Sequence, residues 1–446
     1  MLETMDAHTP YPDLPEGYRM TELGPLPEEW QVVRLGEVFS LAPRKQREQV
    51  VKDEATYRLV TVRLYAKGLT LRSVQRGKDI GTKKLYMVRE GDFIFSKIDA
   101  RNGAWGFVGK DLDASFVSGD FPILTLKRES ADQDFLMFCL SRPSTWGVLR
   151  QVAVGTTNRR RVQPRDLLSA FPIPLPPLPE QRAIAHVLRT VQAAREATER
   201  VIAAARELKK SLMRHLFTWG PVPLNETERV PTQETEIGTL PAHWKVVRVG
   251  DLGEIVTGTT PSTKKPEYYG GLHMFISPGD LGNSMYVERT VKYLSQAGLT
   301  VSRPLPKDAV LVVCIGATIG KVGMTPCDNC ATNQQINAII VNKRVNPHYL
   351  YFALSHRASE LPLLAGRAAV PIVNKSNFSN FLVPLPPLSE QQEIARILRS
   401  VDEKIRAEEA YRDALGGLFK TLLHQLMTAQ IRLPAGIIQL FAEVTE

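Results

Sequence analysis

Two stretches of the chain carry the apolar spacing of a long amphipathic helix. Apolar residues recur at steps of three and four from Ile184 to Leu212 and again from Ile394 to Leu422. This spacing places them in one stripe along each helix, as in a heptad seam. The predicted seam residues are Ile184, Val187, Val191, Val201, Leu208 and Leu212 in the first helix, and Ile394, Ile397, Val401, Leu415, Leu418 and Leu422 in the second.

An apolar stripe this long requires a cover, and the economical cover is the other helix, packed antiparallel as a coiled coil. The alternative is that each helix packs on the globular region that precedes it. Within the second helix, Lys404 falls on a stripe position and weakens the seam. Ser389 with Gln392 three residues later predicts a capping box, and Gly416-Gly417 predicts a bend.

The regions before the helices have β-type patterns. Short apolar runs alternate with Gly, Asn and Asp turns, and a few helical segments follow them. The predicted strands include 57–64, 91–97, 310–315 and 338–341, and the predicted short helices include 134–140, 146–152 and 347–355. This pattern predicts the α+β class, with a twisted, mostly antiparallel sheet in each region.

The chain is an internal repeat. Residues 174–191 return as 384–401 with 12 of 18 positions identical, and both copies read Pro-Leu-Pro-Pro-Leu-x-Glu-Gln before the helix. Residues 21–36 return as 235–250 with 10 of 16 positions identical. Two matches in the same order indicate two copies of one plan, each a globular region followed by a proline run and a helix.

These patterns predict domain boundaries for the whole chain. The predicted segments are an N-terminal arm (1–20), a first α+β domain (21–173), a proline run with helix (174–220), a linker (221–234), a second α+β domain (235–383), a second proline run with helix (384–430) and a tail (431–446).

Composition narrows the class of protein. The chain has 446 residues and a net charge of +9, which suits a polyanionic partner such as nucleic acid. It shows neither a signal peptide nor a membrane-spanning apolar stretch, so we expect a cytoplasmic protein. Cys327 and Cys330 have the spacing of half a zinc site, but no second pair exists, and we expect reduced thiols and no metal.

Catalytic and cofactor-binding motifs are missing from the sequence. Residues 316–322 resemble a phosphate loop, but only three residues separate the glycines and Val322 follows the lysine, which excludes nucleotide binding of that type. No methyltransferase, metalloprotease or hydrolase motif is present. We therefore expect a binding protein without cofactor or catalytic residues.

The duplicated Pro-Leu-Pro-Pro-Leu-x-Glu-Gln units, each after a variable α+β region, resemble the specificity (S) subunit of Type I restriction-modification systems. The stretches 96–106, 155–161, 258–262, 316–323 and 333–335 resemble those of target recognition domains. The resemblance implies two target recognition domains that read the halves of a bipartite double-stranded DNA target. It also implies docking of two modification subunits, which methylate adenine, and through them of restriction subunits, with no catalysis by the chain itself.

Polar and basic residues of these stretches, together with Lys264, Lys265, Asn374 and Lys375, are the candidate DNA contacts, because Arg and Lys bind phosphates and guanine whereas Asn and Gln bind adenine. The candidates are Lys97, Arg101, Asn102, Asn158, Arg159, Arg160 and Arg161 in the first domain, and Thr259, Thr260, Ser262, Lys264, Lys265, Lys321, Asn333, Gln334, Gln335, Asn374 and Lys375 in the second. The alternative is structural: Asn102 and Asn158 hold turns, and 333–335 ties a loop to the sheet.

Two other functions are compatible with the sequence. One is a scaffold or decoy that resembles a specificity subunit and binds partner subunits without reading DNA. The other is a free-standing enzyme, which the missing motifs disfavour.

Overall fold

Two units make up the chain in the computed structural model, which describes residues 14–127, 131–152, 161–169, 172–282, 284–366 and 370–442. Unit 1 consists of residues 1–197 together with 412–446, and unit 2 of residues 198–411. The domain boundaries predicted from the sequence remain predictions.

The elements follow in chain order. The strands from the first part of the chain are β1 (Tyr18–Thr21), β2 (Gly24–Pro27), β3 (Gln31–Arg34), β4 (Phe39–Leu41), β5 (Glu48–Val50), β6 (Thr56–Val62), β7 (Leu69–Arg76), β8 (Lys84–Met87), β9 (Phe93–Phe95), β10 (Trp105–Phe107), β11 (Phe116–Val117), β12 (Ile123–Leu126) and β13 (Pro172–Leu175). The helices there are α1 (Leu35–Val38), α2 (Arg44–Arg47), α3 (Gln133–Leu140), α4 (Pro143–Val152), α5 (Pro164–Ser169) and α6 (Leu178–Trp219).

The remaining strands are β14 (Thr232–Thr235), β15 (Gly238–Pro241), β16 (Lys245–Arg248), β17 (Gly253–Thr257), β18 (Tyr269–Ile276), β19 (Lys292–Leu294), β20 (Val310–Val313), β21 (Val322–Met324), β22 (Ala331–Thr332), β23 (Ile336–Val341) and β24 (Leu382–Leu385). The remaining helices are α7 (Gln296–Thr300), α8 (Pro347–His356), α9 (Lys375–Ser379), α10 (Leu388–Met427) and α11 (Ala435–Gln439).

Each unit contains the same four-stranded antiparallel sheet. The strand order is β10-β9-β12-β4 in unit 1 and β21-β20-β23-β17 in unit 2. Numbered in chain order within the sheet, both run 3-2-4-1. The second sheets differ, with five strands (β5-β8-β11-β6-β7) in unit 1 and three (β19-β18-β22) in unit 2. The predicted α+β repeat is therefore confirmed, and the difference lies where the two sequences diverge.

The duplicated motifs meet within each unit. Strand β3 from the first motif pairs antiparallel with β13 of the proline run, and β16 pairs with β24 in the same way. Gln181 of the Glu-Gln pair is fully buried, donates to Pro176 O at 2.7 Å and accepts from Asp132 N at 2.9 Å. Gln391 likewise donates to Pro386 O and accepts from Asn346 N. The Glu-Gln pair thus fixes the proline run and the start of the long helix to the rest of the domain, because its glutamine supplies hydrogen-bond partners that buried backbone groups require.

The long helices run antiparallel to each other within both units. In unit 1, Ile184 and Leu188 of α6 share a core with Leu426 of α10. In unit 2, Leu216 of α6 shares a core with Leu398 of α10. Two ion pairs of unit 2 agree with this direction. Arg206 of α6 pairs with Glu409 of α10, and Lys209, further along α6, pairs at 2.6 Å with Asp402, which lies earlier in α10. The predicted antiparallel coiled coil is confirmed.

The register of the seam differs from the prediction at alternate positions. Val201, Leu208 and Leu418 are 44%, 52% and 47% exposed, whereas Ile202 is 3% exposed. The seam continues from Ile184 to Leu188, four residues along, whereas the predicted seam continues to Val187, three residues along. Both residues are apolar, so the sequence does not distinguish them. The remaining predicted positions, Ile184, Val187, Val191, Leu212, Ile394, Ile397, Val401, Leu415 and Leu422, are buried or half-buried.

Two further expectations for the second helix were wrong. Helix α10 begins at Leu388, so Ser389 lies inside its first turn and is not the cap. Lys404 is exposed, and its neighbour Ile405 is buried in its place. Gly416 and Gly417 lie within the continuous α-helix, and the bend predicted there remains a prediction.

Candidate nucleic-acid interface

One edge of the four-stranded sheet in unit 2 gathers the candidate motifs. The register pairs Thr257 with Asn337 and Val313 with Ile336, so β17 and β20 end where β23 begins. Strand β21 begins at the same edge, because Val322 pairs with Val312. The loops 258–260, 314–321 and 333–335 therefore converge there, although they are far apart in the sequence.

Side-chain and backbone contacts join these loops. The amide of Thr259 donates to Thr332 O at 2.9 Å, and the Thr260 hydroxyl donates to Gln334 Oε1 at 2.5 Å. A Cβ on Gly258 would lie 2.1 Å from Asn333 O, so the close approach of the two loops requires glycine. Gln334 is exposed at this edge and is available to a ligand.

Asn333 and Gln335 have a structural role that the sequence analysis left open. Asn333 Nδ2 donates to Gln335 Oε1 at 2.9 Å, and Asn333 Oδ1 accepts from the Gln335 amide. Gln335 Nε2 also donates to Ile315 O at 3.4 Å. These bonds tie the 333–335 loop to the end of β20.

A segment before α9 crosses the same edge. Val373 N donates to Cys314 O at 2.8 Å, and Gly316 N donates to Pro371 O at 3.0 Å. Asn374 caps α9 by accepting from Asn377 N at 2.7 Å, and the exposed Lys375 is the first residue of that helix. Asn374 therefore has a structural function, whereas Lys375 is free to face a phosphate.

The other candidates of unit 2 lie close to these loops in the chain. Lys321 is half-buried directly before β21 and packs near Gly282. Ser262, Lys264 and Lys265 are exposed on the loop that leads towards β18. The ammonium of Lys265 lies 5.3 Å from the centroid of the Tyr268 ring, a cation–π geometry.

The same sheet edge in unit 1 carries a basic cluster. Strands β9 and β4 end where β12 and β10 begin. Lys97 follows β9 and donates to Gly119 O at 3.1 Å, and Arg161 pairs with Asp120 at 3.3 Å. Burial lowers the pKa of Lys97, the charge of Arg44 lowers it further, and Asp120 opposes the shift. Two loops and the segment at 161–162 thus bring several cations together.

Arg101 and Asn102 lie in a 3₁₀ turn, Ala100–Asn102, which Gly103 ends in a left-handed conformation with φ +69. The backbone carbonyl of Asn102 accepts from Tyr65 N at 2.8 Å, and its amide donates to Asp99 O. These bonds support a turn-forming role for Asn102. The predicted contacts Asn158, Arg159 and Arg160 lie outside the described residues.

Arg44 and Arg47, the first and last residues of α2, were not among the contacts predicted from the sequence. Arg44 donates to Gly119 O at 3.2 Å, and its guanidinium lies 4.4 Å from the centroid of the Tyr86 ring. The available signal was the basic run 44–47 directly after a strand, where unit 2 has its Gly-Thr-Thr-Pro-Ser stretch.

Within the part of the chain that the structure describes, no group of three or more His, Cys, Asp or Glu side chains is placed to hold a metal ion. Cys327 and Cys330 have their sulfur atoms 3.7 Å apart, and burial together with the neighbouring Cys327 raises the pKa of Cys330 to about 12. None of the described helices is long and apolar enough to span a membrane.

Comparison with known proteins identifies the family. The model of the Type I restriction modification DNA specificity domain matches the chain twice, over residues 27–205 and 241–415. The chain belongs to this family. The two matches coincide with the two copies of the sequence repeat, so each copy contains one specificity domain.

Curated members of the specificity family match most of the chain. The Type I restriction enzyme MjaVIII specificity subunit of Methanocaldococcus jannaschii is 25% identical over 420 residues, which cover 91% of this chain and 94% of that protein. The HindI specificity subunit of Haemophilus influenzae is 23% identical over 412 residues, covering 79% and 89%.

Solved structures of specificity subunits share the fold. The S subunit from M. genitalium aligns with a TM-score of 0.59 at 15% identity and covers 89% of this chain and 96% of its own. A second chain comes from a structure described as the structural basis of complex assembly and conformational transition of the type I R-M system. It aligns with a TM-score of 0.53 at 22% identity and covers 90% of this chain and 98% of its own.

Proposed function

We propose that this chain is the DNA-reading subunit of a Type I restriction-modification complex. The observation that carries the proposal is the repeated 3-2-4-1 sheet, whose same edge presents basic or amide side chains in both units. Each unit reads one half of a bipartite DNA target, with phosphates supplying affinity and base edges supplying selectivity. Because its substrate is the DNA of the cell, the complex works in the cytoplasm.

The chain contributes recognition and leaves catalysis to its partners. Two modification subunits dock on it and methylate adenine, and restriction subunits join through them. The family membership and the missing catalytic motifs support this division. Methyl transfer by the isolated chain would contradict it.

The deciding experiment uses the chain assembled with its modification subunits and a pool of randomised duplexes. We expect the retained DNA to be enriched in two fixed half-sites separated by a constant number of unspecified base pairs. Equal retention of all sequences would favour the scaffold or decoy instead.

A matched pair of variants tests whether the sheet edge of unit 2 that carries Gln334 contacts the bases of the DNA. Gln334→Ala removes an exposed amide at the sheet edge of unit 2, and Gln392→Ala removes an exposed amide on α10. We expect the first to relax selectivity at one position of one half-site by about 1–3 kcal/mol. The second leaves both half-sites unchanged.

The helices are proposed to set the spacer, because α6 and α10 each contribute residues to both units. Seven residues inserted after Ala197 and after Tyr411 add about 10 Å to each helix. We expect the half-sites to be kept and the spacer to grow by about three base pairs. An unchanged spacer would show that the helices do not determine it.

A further inference from the structure

A pocket of about 80 Å³ opens in unit 1 at the edge of the four-stranded sheet where β4 and β9 end. It lies where β4 leads into α2, opposite the loop before β12. Its cationic wall consists of Arg44, Arg47 and Lys97, and its apolar wall includes Tyr86, Phe121 and Ile123. No carboxylate lines the pocket among the described residues.

The cations are held by groups that leave their charge uncompensated. Arg44 and Lys97 both donate to the same carbonyl oxygen, Gly119 O, at 3.2 and 3.1 Å. The ring of Tyr86 holds the Arg44 guanidinium at 4.4 Å. A neutral oxygen and an aromatic ring orient these side chains without neutralising them, so two positive charges remain close together.

Arg47 provides a buried donor beside them. Its side chain is 8% exposed, and Nη2 donates to Asp92 Oδ1 at 3.0 Å. The second terminal nitrogen, Nη1, is buried and has no hydrogen-bond partner among the described residues. A buried guanidinium N–H without a partner is costly, so a ligand that accepts from it would stabilise the site.

The surrounding charges also favour an anion. Among the described residues, Arg47 pairs with Asp92 and Arg161 pairs with Asp120, so Arg44 and Lys97 give this group an excess of two positive charges. The lowered pKa of Lys97, caused first by burial and then by Arg44, agrees with this excess. Bound negative charge would relieve the repulsion.

We propose that this pocket binds a phosphate group of the DNA backbone in the half-site contacted by unit 1. The proposal rests on the proposed function. The guanidinium and ammonium donors of Arg44, Arg47 and Lys97 suit a phosphate, whose oxygens accept from an arginine fork and an ammonium together. The major-groove edge of guanine also offers only acceptors, so the experiment must separate a phosphate from a guanine.

The test uses the complex assembled with its modification subunits and measures duplex affinity over a range of salt. The variants are Arg44→Ala and Lys97→Met, with Arg44→Lys as the conservative change and Lys45→Ala as the control. Lys45 is exposed on the same helix and does not line the pocket. Thermal unfolding of each variant establishes that it is folded.

We expect Arg44→Ala and Lys97→Met each to weaken binding to all sequences by one common factor. Each should also lower the slope of log affinity against log salt by about 1, because one phosphate contact is lost. Arg44→Lys should retain the slope, and Lys45→Ala should change nothing. Loss of discrimination at a single base pair would overturn the proposal in favour of a guanine edge, and unchanged affinity and slope would overturn it outright.

A second measurement separates the possible sources of phosphate. Labelling of Lys97 with an amine-reactive reagent is followed with no ligand, with inorganic phosphate and with duplex DNA. Protection by DNA at concentrations where inorganic phosphate gives none supports the proposal, whereas protection by inorganic phosphate alone overturns it. The salt slope and the protection of Lys97 do not depend on sequence selectivity, so the pocket and the proposed reading of a bipartite target can fail separately.

Discussion

The indole Nε1 of Trp30 donates a hydrogen bond to Oε2 of Glu180 across 3.0 Å, with both side chains buried. Trp244 makes the corresponding bond to Glu390 at 2.9 Å in unit 2. The two residues of each pair belong to different duplicated motifs, so the bond explains why the motifs recur together. The carboxylates differ in their second partner, which is Arg432 for Glu180 and His243 for Glu390.

Trp30→Phe is expected to lower the free energy of unfolding of the chain by about 1–3 kcal/mol, because the buried carboxylate loses a donor. Trp244→Phe serves as the paired variant, with a smaller expected loss because Glu390 is more exposed than Glu180. Urea titration of both variants measures the difference. Equal losses would show that burial of the carboxylate does not decide the effect.

Gln181→Leu should destabilise unit 1 by about 1–3 kcal/mol for each backbone group that it leaves unpaired. The buried amide serves both Pro176 O and Asp132 N, so both are left without this partner. Gln392→Leu, at an exposed position of α10, provides the control and should change little. Hydrogen exchange of the Asp132 amide would report the loss directly, and unchanged exchange would contradict it.

Substituting two neighbouring residues of α6 tests which of them belongs to the helix seam. Ile202→Ala removes a residue that is 3% exposed and should cost about 2–5 kcal/mol, whereas Val201→Ala removes one that is 44% exposed and should cost about 0.5 kcal/mol or less. Thermal or urea unfolding measures both. The reverse ranking would restore the register predicted from the sequence.

Unit 2 should lose stability as the pH falls below about 6.5, the ordinary pKa of histidine. Burial lowers the pKa of His348, which lies 2.7 Å from the Tyr286 hydroxyl, and nearby Arg399 lowers it further against Asp308. A lowered pKa means that the unfolded chain binds the proton more tightly. Stability is therefore complete above the unfolded pKa and falls between it and the lower folded value.

The variant His348→Gln should flatten this part of the pH profile of unfolding. His424→Gln is the control, because His424 is exposed on α10 and belongs to unit 1. The free energy of unfolding of both variants and of the unmodified chain is measured from pH 7.5 to pH 5. An identical pH dependence for His348→Gln and the unmodified chain would exclude His348 as its source.

The sequence predicted those features that depend on neighbours in the chain. Val310 to Val313 form a strand because four apolar β-formers follow one another, and the Pro-Leu-Pro-Pro-Leu repeat marks the start of both long helices. The seam residues were ambiguous where two apolar residues adjoin, as at Val187 and Leu188, because either satisfies a helical period.

Contacts between distant segments could not be predicted in this way. Arg44 and Gly119 are 75 residues apart and meet only because β4 and β12 are neighbours in the sheet. The Lys97 stretch was found through its resemblance to known proteins, but the cluster around it depends on the strand order. The same holds for the contact of Thr260 with Gln334, which joins loops 74 residues apart.

Unit 1 is assembled from both ends of the chain, whereas unit 2 is continuous. The hydroxyl of Tyr18 donates to Ala429 O at 2.9 Å, and Leu426 and Met427 lie in the core of unit 1. During synthesis on the ribosome, unit 2 is therefore complete before unit 1, although most of unit 1 is translated first. A nascent chain that has been synthesised up to residue 411 would contain all of unit 2, but its unit 1 would still lack the core residues Leu426 and Met427.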